Sequence, residues 1–221
     1  MGQICPDRSK YEIQNSFNFL NKSYTLGVIH PGAQVDSQAV VQEGAVIWNN
    51  SHVRDKAFVG ENSIIGEFVY VDTNVVVGSN CKVQNGSYLY SPAILEDGVF
   101  IGPGVILTND RFPRAIQVDG TLKGQNDWQE VGVVVRTGAS IGAGAICVAP
   151  IEVGEWSLIA AGSVVTKNVP RFALVSGNPA KFVKWVGRSG FPLIHVSTHL
   201  FECPKTGERY LLKEKNSLVL A

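Results

Sequence analysis

The chain offers few side chains suited to acid–base, nucleophilic or metal chemistry. Its four histidines, His30, His52, His195 and His199, are scattered. Of its four cysteines, Cys5, Cys81, Cys147 and Cys203, none forms a CxxC pair. Cys5-Pro6 and Cys203-Pro204 supply only two isolated thiols, a poor zinc set, so no metal is expected. Asn85-Gly86 has two readings. An amide oxygen can accept a hydrogen bond from an amine without charging it, and an Asn-Gly pair also makes a turn with the asparagine left-handed. Glu67, Asn109 and Asp110 add polar groups able to grip a small ligand, the last two equally able to cap a loop. Lys167 and Lys181 can pair with phosphates or stand solvated.

These groups belong to a chain of 221 residues, 45% hydrophobic and 17% charged, enough apolar material for one sizeable core. Nineteen basic residues balance nineteen acidic ones, so no basic stripe points to nucleic acid or to an anionic membrane. The first residues, MGQICPDRSKYEIQ, lack a signal-peptide core, and no apolar run is long enough to span a bilayer. The expected compartment is the cytoplasm.

What must position the candidate groups is a repeat. From Ile29 to Leu107 every sixth residue is aliphatic, and the residue four places later is small or β-branched, from Ala33 to Val105. The pattern resumes in a new phase from Val135 to Val165, with Ala139, Ala145 and Ser157 among the small partners. A period of six suits neither an amphipathic helix nor a long strand. It suits a coil of short flat faces and tight turns, three hexads per circuit, in which each hexad is buried only by its neighbours above and below. Twenty hexads give nearly seven circuits and a prism roughly 33 Å tall. Cys81 and Cys147 fall at inward positions and read as small core residues. Ile151, beside Ala149-Pro150, breaks the small-residue rule and is expected to bulge.

The rule fails over residues 108–134, TNDRFPRAIQVDGTLKGQNDWQEVGVV. Excursions this long within a compact domain usually carry function. A prism wall has no concavity, whereas a loop folded over a neighbouring prism makes one. Flat lateral walls pack against copies of themselves with closed symmetry, so a homotrimer with sites between subunits is expected. The organisation reads as an N-terminal extension (1–28), a β-helix with its excursion (29–170), and a C-terminal cap (171–221). In the cap, KFVKWV after Pro179 suggests a short helix, and HLFECPKTGERYLL suggests strands joined by a Lys-Thr-Gly turn.

The hexads, with IAAGSVVTKNVP and GNPAK, resemble the hexapeptide-repeat acyltransferases. IWNNSHV, KVQNGSYLY, LEDGVFIGPGVILTNDRFPRA and ECPKTGERYLL narrow the resemblance to the N-acetyltransferases of nucleotide-linked 3-amino sugars, in particular those acting on UDP-2-acetamido-3-amino-2,3-dideoxyglucuronate in bacterial surface-polysaccharide synthesis. The likeness covers residues 29 to about 212. It implies an all-β fold, a left-handed parallel β-helix with one long loop, and a trimer. It further implies acetyl-CoA as co-substrate and a nucleotide-linked amino sugar as acceptor. The chain departs from the pattern at Asn49, Glu67-Phe68, Gly86 and Ser91, several of them near the expected sugar.

Under that resemblance Asn85 holds the acceptor amine. Glu67 is then expected to contact the sugar or the amine, and Asn109 and Asp110, which open the excursion, the sugar or nucleotide. From its position, a backbone N–H of the Gly102-Pro103-Gly104 turn is expected to serve the thioester carbonyl. Ala143 and Ala161 set their backbone against pantetheine, and Lys167 and Lys181 meet the coenzyme A phosphates. A sugar amine titrating near 8 is already partly neutral at cell pH and needs little base help. His52, facing outward at the end of its hexad, reads either as a general base or as a hydrogen-bonded cleft or surface residue. O-acetyl transfer to a sugar or small molecule, which wants a histidine in the 108–134 loop, and a non-enzymatic scaffold are the competing readings.

Overall fold

The computed structural model describes residues 27–124, 126–213 and 217–221. Most of the N-terminal extension, with Cys5, lies outside them.

Each hexad contributes a strand of two residues, one outward and one inward, then a turn. Within the turn, one residue takes a left-handed backbone, as at Asn50 (φ 59°), Phe68 (φ 58°), Gly86 (φ 67°) and Gly104 (φ 68°). The sharp change of direction at every sixth residue, one third of a circuit, needs that conformation, which explains the glycines and asparagines there. The strands stack into three parallel walls. The first holds eight, from Val28–Ile29 to Ala173–Gly177. The second holds seven, from Gln34–Val35 to Val164–Val165. The third holds six, from Val40–Val41 to Ile151–Val153. Partners are eighteen residues apart, as in Val28 with Val46. Across the excursion Phe100 pairs with Ser140 instead, so the extra residues loop out and the ladder continues.

The inward aliphatics, among them Ile47, Val53, Val59, Ile65, Val71 and Val83, are fully buried. Each contributes roughly 1.5–3 kcal/mol of burial, and none could be buried by its own coil alone. Cys81 and Cys147 belong to this core, and burial pushes their thiols up to about 11 and about 12. At small positions held by serine the hydroxyl can be satisfied in the next coil, as where Ser63 Oγ donates to Gly78 O (2.7 Å) and accepts from Cys81 N (2.9 Å); the Ser157 hydroxyl is the exception, buried without a partner. At Ile151 there is no bulge. Val133–Val135 and Ile151–Val153 pair without interruption over three residues. Two large apolar residues, Val133 and Ile151, occupy adjacent coils, so the widened positions stack and the strands lengthen by one residue.

The expected helix after Pro179 is also corrected. Ala180–Trp185 is a strand, antiparallel to Ala173–Gly177. The last coil leaves a sheet edge open, and a hairpin closes it through backbone hydrogen bonds that a helix could not supply. A four-stranded antiparallel sheet over residues 194–220 follows. Its Cys203, Tyr210 and Leu218 pack with Phe172 of the last coil, against Trp156 and Trp185. No helix in the described residues is long and apolar enough to cross a membrane.

Candidate functional site

The turn joining the first wall to the second recurs in every coil and builds one continuous corner. Its second position is held in successive coils by Pro31, Asn49, Glu67, Asn85, Pro103, Ala143 and Ala161. Glu67, Asn85, Gly102, Ala143 and Ala161, half of the residues expected at the site, therefore line a single edge, one strand spacing (roughly 4.8 Å) per coil.

Asn85 is exposed, and its Oδ1 accepts from the Glu67 backbone N–H (3.0 Å). Its carbonyl accepts from Gly104 N–H (3.0 Å), and Gly86 N–H donates to Glu67 O (2.9 Å). The left-handed residue of this turn is Gly86; Asn85 itself has ordinary backbone, which removes the reading of Asn85 as a left-handed turn asparagine. The same device recurs on another corner, where Asp97 Oδ1 accepts from Ser79 N–H (2.8 Å). One coil below Glu67, the Asn49 Oδ1 is buried without a partner. By register its donor would be residue 31, a proline with no N–H, so the capping rule itself explains the orphan.

The expected role of the Gly102 turn is corrected by its hydrogen bonds. Gly102 N–H donates to Ile141 O (2.7 Å) and Gly104 N–H to Asn85 O, and Pro103 has no N–H. No donor in this turn is left for a thioester oxygen. Gly102 is required for a different reason: a Cβ there would lie 2.6 Å from Ala143 N. Ala143 and Ala161 are exposed, and their backbone N–H groups take no partner among the described residues. The next coil offers Ala161 above Ala143 and no side-chain acceptor, so these N–H groups point outward unclaimed.

The two lysines separate. Lys181 pairs with Ser176 in the closing hairpin, whose Gly177 N–H donates to Ser163 Oγ (3.2 Å) in the turn that follows Ala161. It thus stands at the end of the same corner. Lys167 lies on the corner between the second and third walls, exposed, beside Asn168, which caps Glu152 N (2.9 Å).

His52 faces outward from the second wall. Its ring meets Tyr70 edge-on at 5.8 Å, and Tyr70 and Tyr88 approach Tyr90 at 5.7 and 6.3 Å. The Tyr70 hydroxyl accepts from Arg54 (2.9 Å) and donates to Asp72 (3.1 Å); burial pushes its pKa up despite the Arg54 bond. This aromatic strip escaped the sequence reading. Its signal was an outward ring at every third hexad: His52, Tyr70, Tyr88.

Asn109 and Asp110 lie at the opposite edge of the second wall, where the excursion leaves. Asn109 O accepts from Val131 N (3.0 Å), clamping the root, and Asp110 Oδ1 caps Phe112 N (2.8 Å). The excursion encloses a cleft of about 470 Å³ lined by Asp110, Arg114, Leu122, Lys123 and Trp128. Phe112 and Leu122 are 74% and 81% exposed, so the loop carries apolar surface that its own chain does not cover. Within one chain, Asn85 and Asn109 are kept apart by the width of the wall. Among the described residues no group of three His, Cys, Asp or Glu converges on one point.

The family description "Bacterial transferase hexapeptide (six repeats)" matches residues 56–91 and 74–109, and "Hexapeptide repeat of succinyl-transferase" matches residues 137–167. A serine acetyltransferase of Buchnera aphidicola is 40% identical over 93 residues, 42% of this chain and 35% of that protein. The dTDP-3-amino-3,6-dideoxy-alpha-D-galactopyranose 3-N-acetyltransferase of Aneurinibacillus thermoaerophilus is 47% identical over 53 residues, 24% of this chain and 28% of that protein. The chain thus spans about a third of the length of these relatives. A hexapeptide transferase family protein from Anaplasma phagocytophilum, at 22% identity, superposes with a TM-score of 0.52 over 75% of this chain and 87% of its own, a likeness of fold alone. The six-residue steps and three parallel walls carry these matched repeats over residues 56–109 and 137–167, so in repeat and in fold the chain is similar to the hexapeptide-repeat transferases.

Proposed function

We propose that this chain is an acyl-CoA-dependent N-acetyltransferase acting on the amino group, at C3, of a nucleotide-linked sugar destined for bacterial surface polysaccharide. The observation that carries the reading is the order of groups along one corner: Glu67 and Asn85, then the unclaimed N–H groups of Ala143 and Ala161. Those N–H groups suit the amide carbonyls of a pantetheine arm lying along the corner, with Lys181 at the phosphate end. The arm then delivers its thioester towards Asn85, where an acceptor amine can be held beside it. Positioning of this kind supplies much of the rate of an acyl transfer whose nucleophile is already partly neutral. The A. thermoaerophilus relative, an enzyme named for a 3-amino sugar, supports the choice of acceptor.

The site is completed by a second copy. The excursion starts across the wall from Asn85 and carries exposed Phe112 and Leu122, which suits a loop that covers the neighbour's corner in a closed trimer. Asn109 and Asp110 would then approach the acceptor from the adjacent subunit.

Serine acetyltransferase relatives favour a second reading, O-acetyl transfer. A hydroxyl needs a base. His30 opens the corner's first turn, three coils from Asn85, and stacks on Trp48 (4.2 Å); His52, on the second wall, is one coil nearer. Its ring partner is Tyr70, however, and it has no carboxylate partner among the described residues, which favours the amine.

The test incubates the protein with acetyl-CoA and a panel of UDP- and dTDP-linked amino sugars, plus serine, and follows free thiol; solution mass is measured alongside. Thiol release with a 3-amino sugar nucleotide and the mass of a trimer are expected. A monomer, or release with serine alone, overturns the reading.

A further inference from the structure

We infer that Asn85 and Glu67 divide the chemistry of acyl transfer between them: Asn85 donates through Nδ2 to the thioester oxygen, and the Glu67 carboxylate takes the proton that the nitrogen loses. This rests on the N-acetyltransferase reading above and assigns its reacting groups.

The argument starts from the orientation of one amide. Oxygen and nitrogen of an asparagine side chain are told apart by their partners. The atom facing Glu67 N–H must be the acceptor, so it is Oδ1. The Nδ2 group is thereby turned away from the coil below, and it takes no partner among the described residues. Asp97 makes the same bond to Ser79 N–H far from this corner, so the Oδ1 bond is a feature of the coil and what remains available to a ligand is Nδ2.

An oxyanion at this place needs a donor that is not already spent. Gly102 and Gly104 N–H groups are committed to Ile141 O and Asn85 O, and Pro103 has none. Between the track at Ala143 and the carboxylate at Glu67, the donors left over both belong to Asn85: its backbone N–H, unclaimed because Pro103 in the next coil has no side-chain acceptor, and its Nδ2, the one that a side-chain substitution can remove. The next coil down brings Glu67, half-buried, with no ion-pair partner for its carboxylate among the described residues. Its backbone holds Asn85 while its side chain stays unengaged. Thioester, oxyanion donor and proton acceptor thus follow one another along the corner at single-coil steps.

The step balances. The neutral amine attacks the thioester carbonyl and a C–N bond forms. The carbonyl electron pair moves to oxygen, under Asn85 Nδ2–H. The nitrogen's surplus proton passes to the Glu67 carboxylate. Collapse of the tetrahedral species breaks the C–S bond, and the proton moves from the Glu67 carboxyl to the leaving thiolate, giving amide and free coenzyme A.

Three variants test this with the full-length protein, acetyl-CoA and dTDP-3-amino-3,6-dideoxygalactose or its UDP-linked 3-amino counterpart, whichever the wild type accepts. Glu67→Gln keeps the backbone bond to Asn85; kcat is expected to fall about 10²-fold with KM nearly unchanged. Glu67→Ala is expected to regain rate as formate is added. Asn85→Asp keeps the acceptor for Glu67 N–H, as Asp97 does elsewhere, but loses the donor. Its thermal midpoint and its acetyl-CoA affinity should match the wild type while kcat falls about 10²–10³-fold. An active wild type whose Glu67→Gln variant keeps its kcat, or loses only KM, overturns the inference alone, as does an Asn85→Asp variant of full rate. A wild type inert on both sugar nucleotides overturns the inference together with the reading beneath it.

Discussion

Gly66 and Asn85 touch so closely that no other residue fits at 66: a Cβ built there would lie 2.5 Å from Asn85 Oδ1 and 2.9 Å from Asn85 N. Gly78 stands in the same relation to Asp97 Oδ1 (2.6 Å) and Asp97 N (2.9 Å) on another corner. Both glycines have negative φ, so their requirement is room and not conformation. Gly66→Ala and Gly78→Ala should therefore each cost about 1–3 kcal/mol, from overpacking against backbone. Only Gly66→Ala should also abolish acetyl transfer, because only that corner carries the candidate site. Thermal melts and a thiol-release assay on both variants check the contrast.

The fold was legible because a six-residue period admits one architecture, and every aliphatic from Ile29 to Leu107 reports the inward direction independently. The corner was half legible. Glu67, Asn85, Ala143 and Ala161 differ by multiples of eighteen once the excursion is discounted, with Gly102 one residue before the same position, but which corner N–H groups are spent depends on the neighbouring coil. Gly102 looked like a free donor in sequence and is tied to Ile141 in space. KFVKWV was misread because a lone amphipathic hexamer after proline fits helix and strand alike; the open sheet edge at Ala173–Gly177 decided it.

Proline is tolerated at the second position of the site corner, where Pro31 and Pro103 already sit. Ala143→Pro and Ala161→Pro should then delete a single N–H without disturbing the coil. Loss of one hydrogen bond of about 0.5–1.5 kcal/mol predicts an acetyl-CoA Kd weakened by roughly 2- to 12-fold per variant, read by calorimetry, with unchanged melting. Unchanged affinity in both would remove pantetheine from this edge.

Phe68 holds a left-handed backbone (φ 58°) with its ring 60% exposed. A bulky residue in that conformation costs roughly 1–2 kcal/mol, a cost that glycine avoids. Phe68→Gly should raise stability by up to about 1 kcal/mol. If the ring contacts the acceptor beside Glu67, the same change raises KM for the sugar nucleotide and leaves that for acetyl-CoA unaltered.

Glu96 accepts from Arg136 Nη1 (2.8 Å) and from Thr137 N (3.0 Å) and Oγ1 (2.9 Å), while Arg136 Nη2 also meets Glu152 (2.6 Å). Burial works against the charged carboxylate, yet the Arg136 and Thr137 bonds hold it below its ordinary value. A depressed carboxyl stabilises the fold fully above its unfolded value of about 4.3 and ceases to do so as pH falls through the lower folded value. Glu96→Gln should melt below the wild type at pH 7, and the gap should close as pH falls below the unfolded carboxyl value and through the lower folded one. A gap that stays constant with pH would mean that the carboxylate charge adds nothing.

The excursion leaves and rejoins the coil with Asn109 O and Val131 N 3.0 Å apart, so its ends are already joined by the coil and not by the loop. Replacing residues 110–130 with a short Gly-Ser link should leave the core intact: the strands on either side, Ile106–Leu107 and Val133–Val135, find their partners in other coils. Its exposed Phe112 and Leu122 have nothing to rest on within one chain. If they rest on a neighbour, the shortened protein will still bind acetyl-CoA on its Ala143–Ala161 edge, while kcat/KM for the sugar nucleotide drops at least 10²-fold, the scale of lost positioning. A mixture settles whether the loop acts in trans. Shortened subunits with an intact corner, co-assembled with full-length subunits carrying Asn85→Ala, should regain activity only where an intact corner lies beneath a neighbour's loop. Rescue by mixing two inactive proteins is the expected result, and its absence in confirmed mixed trimers would return the loop to its own chain.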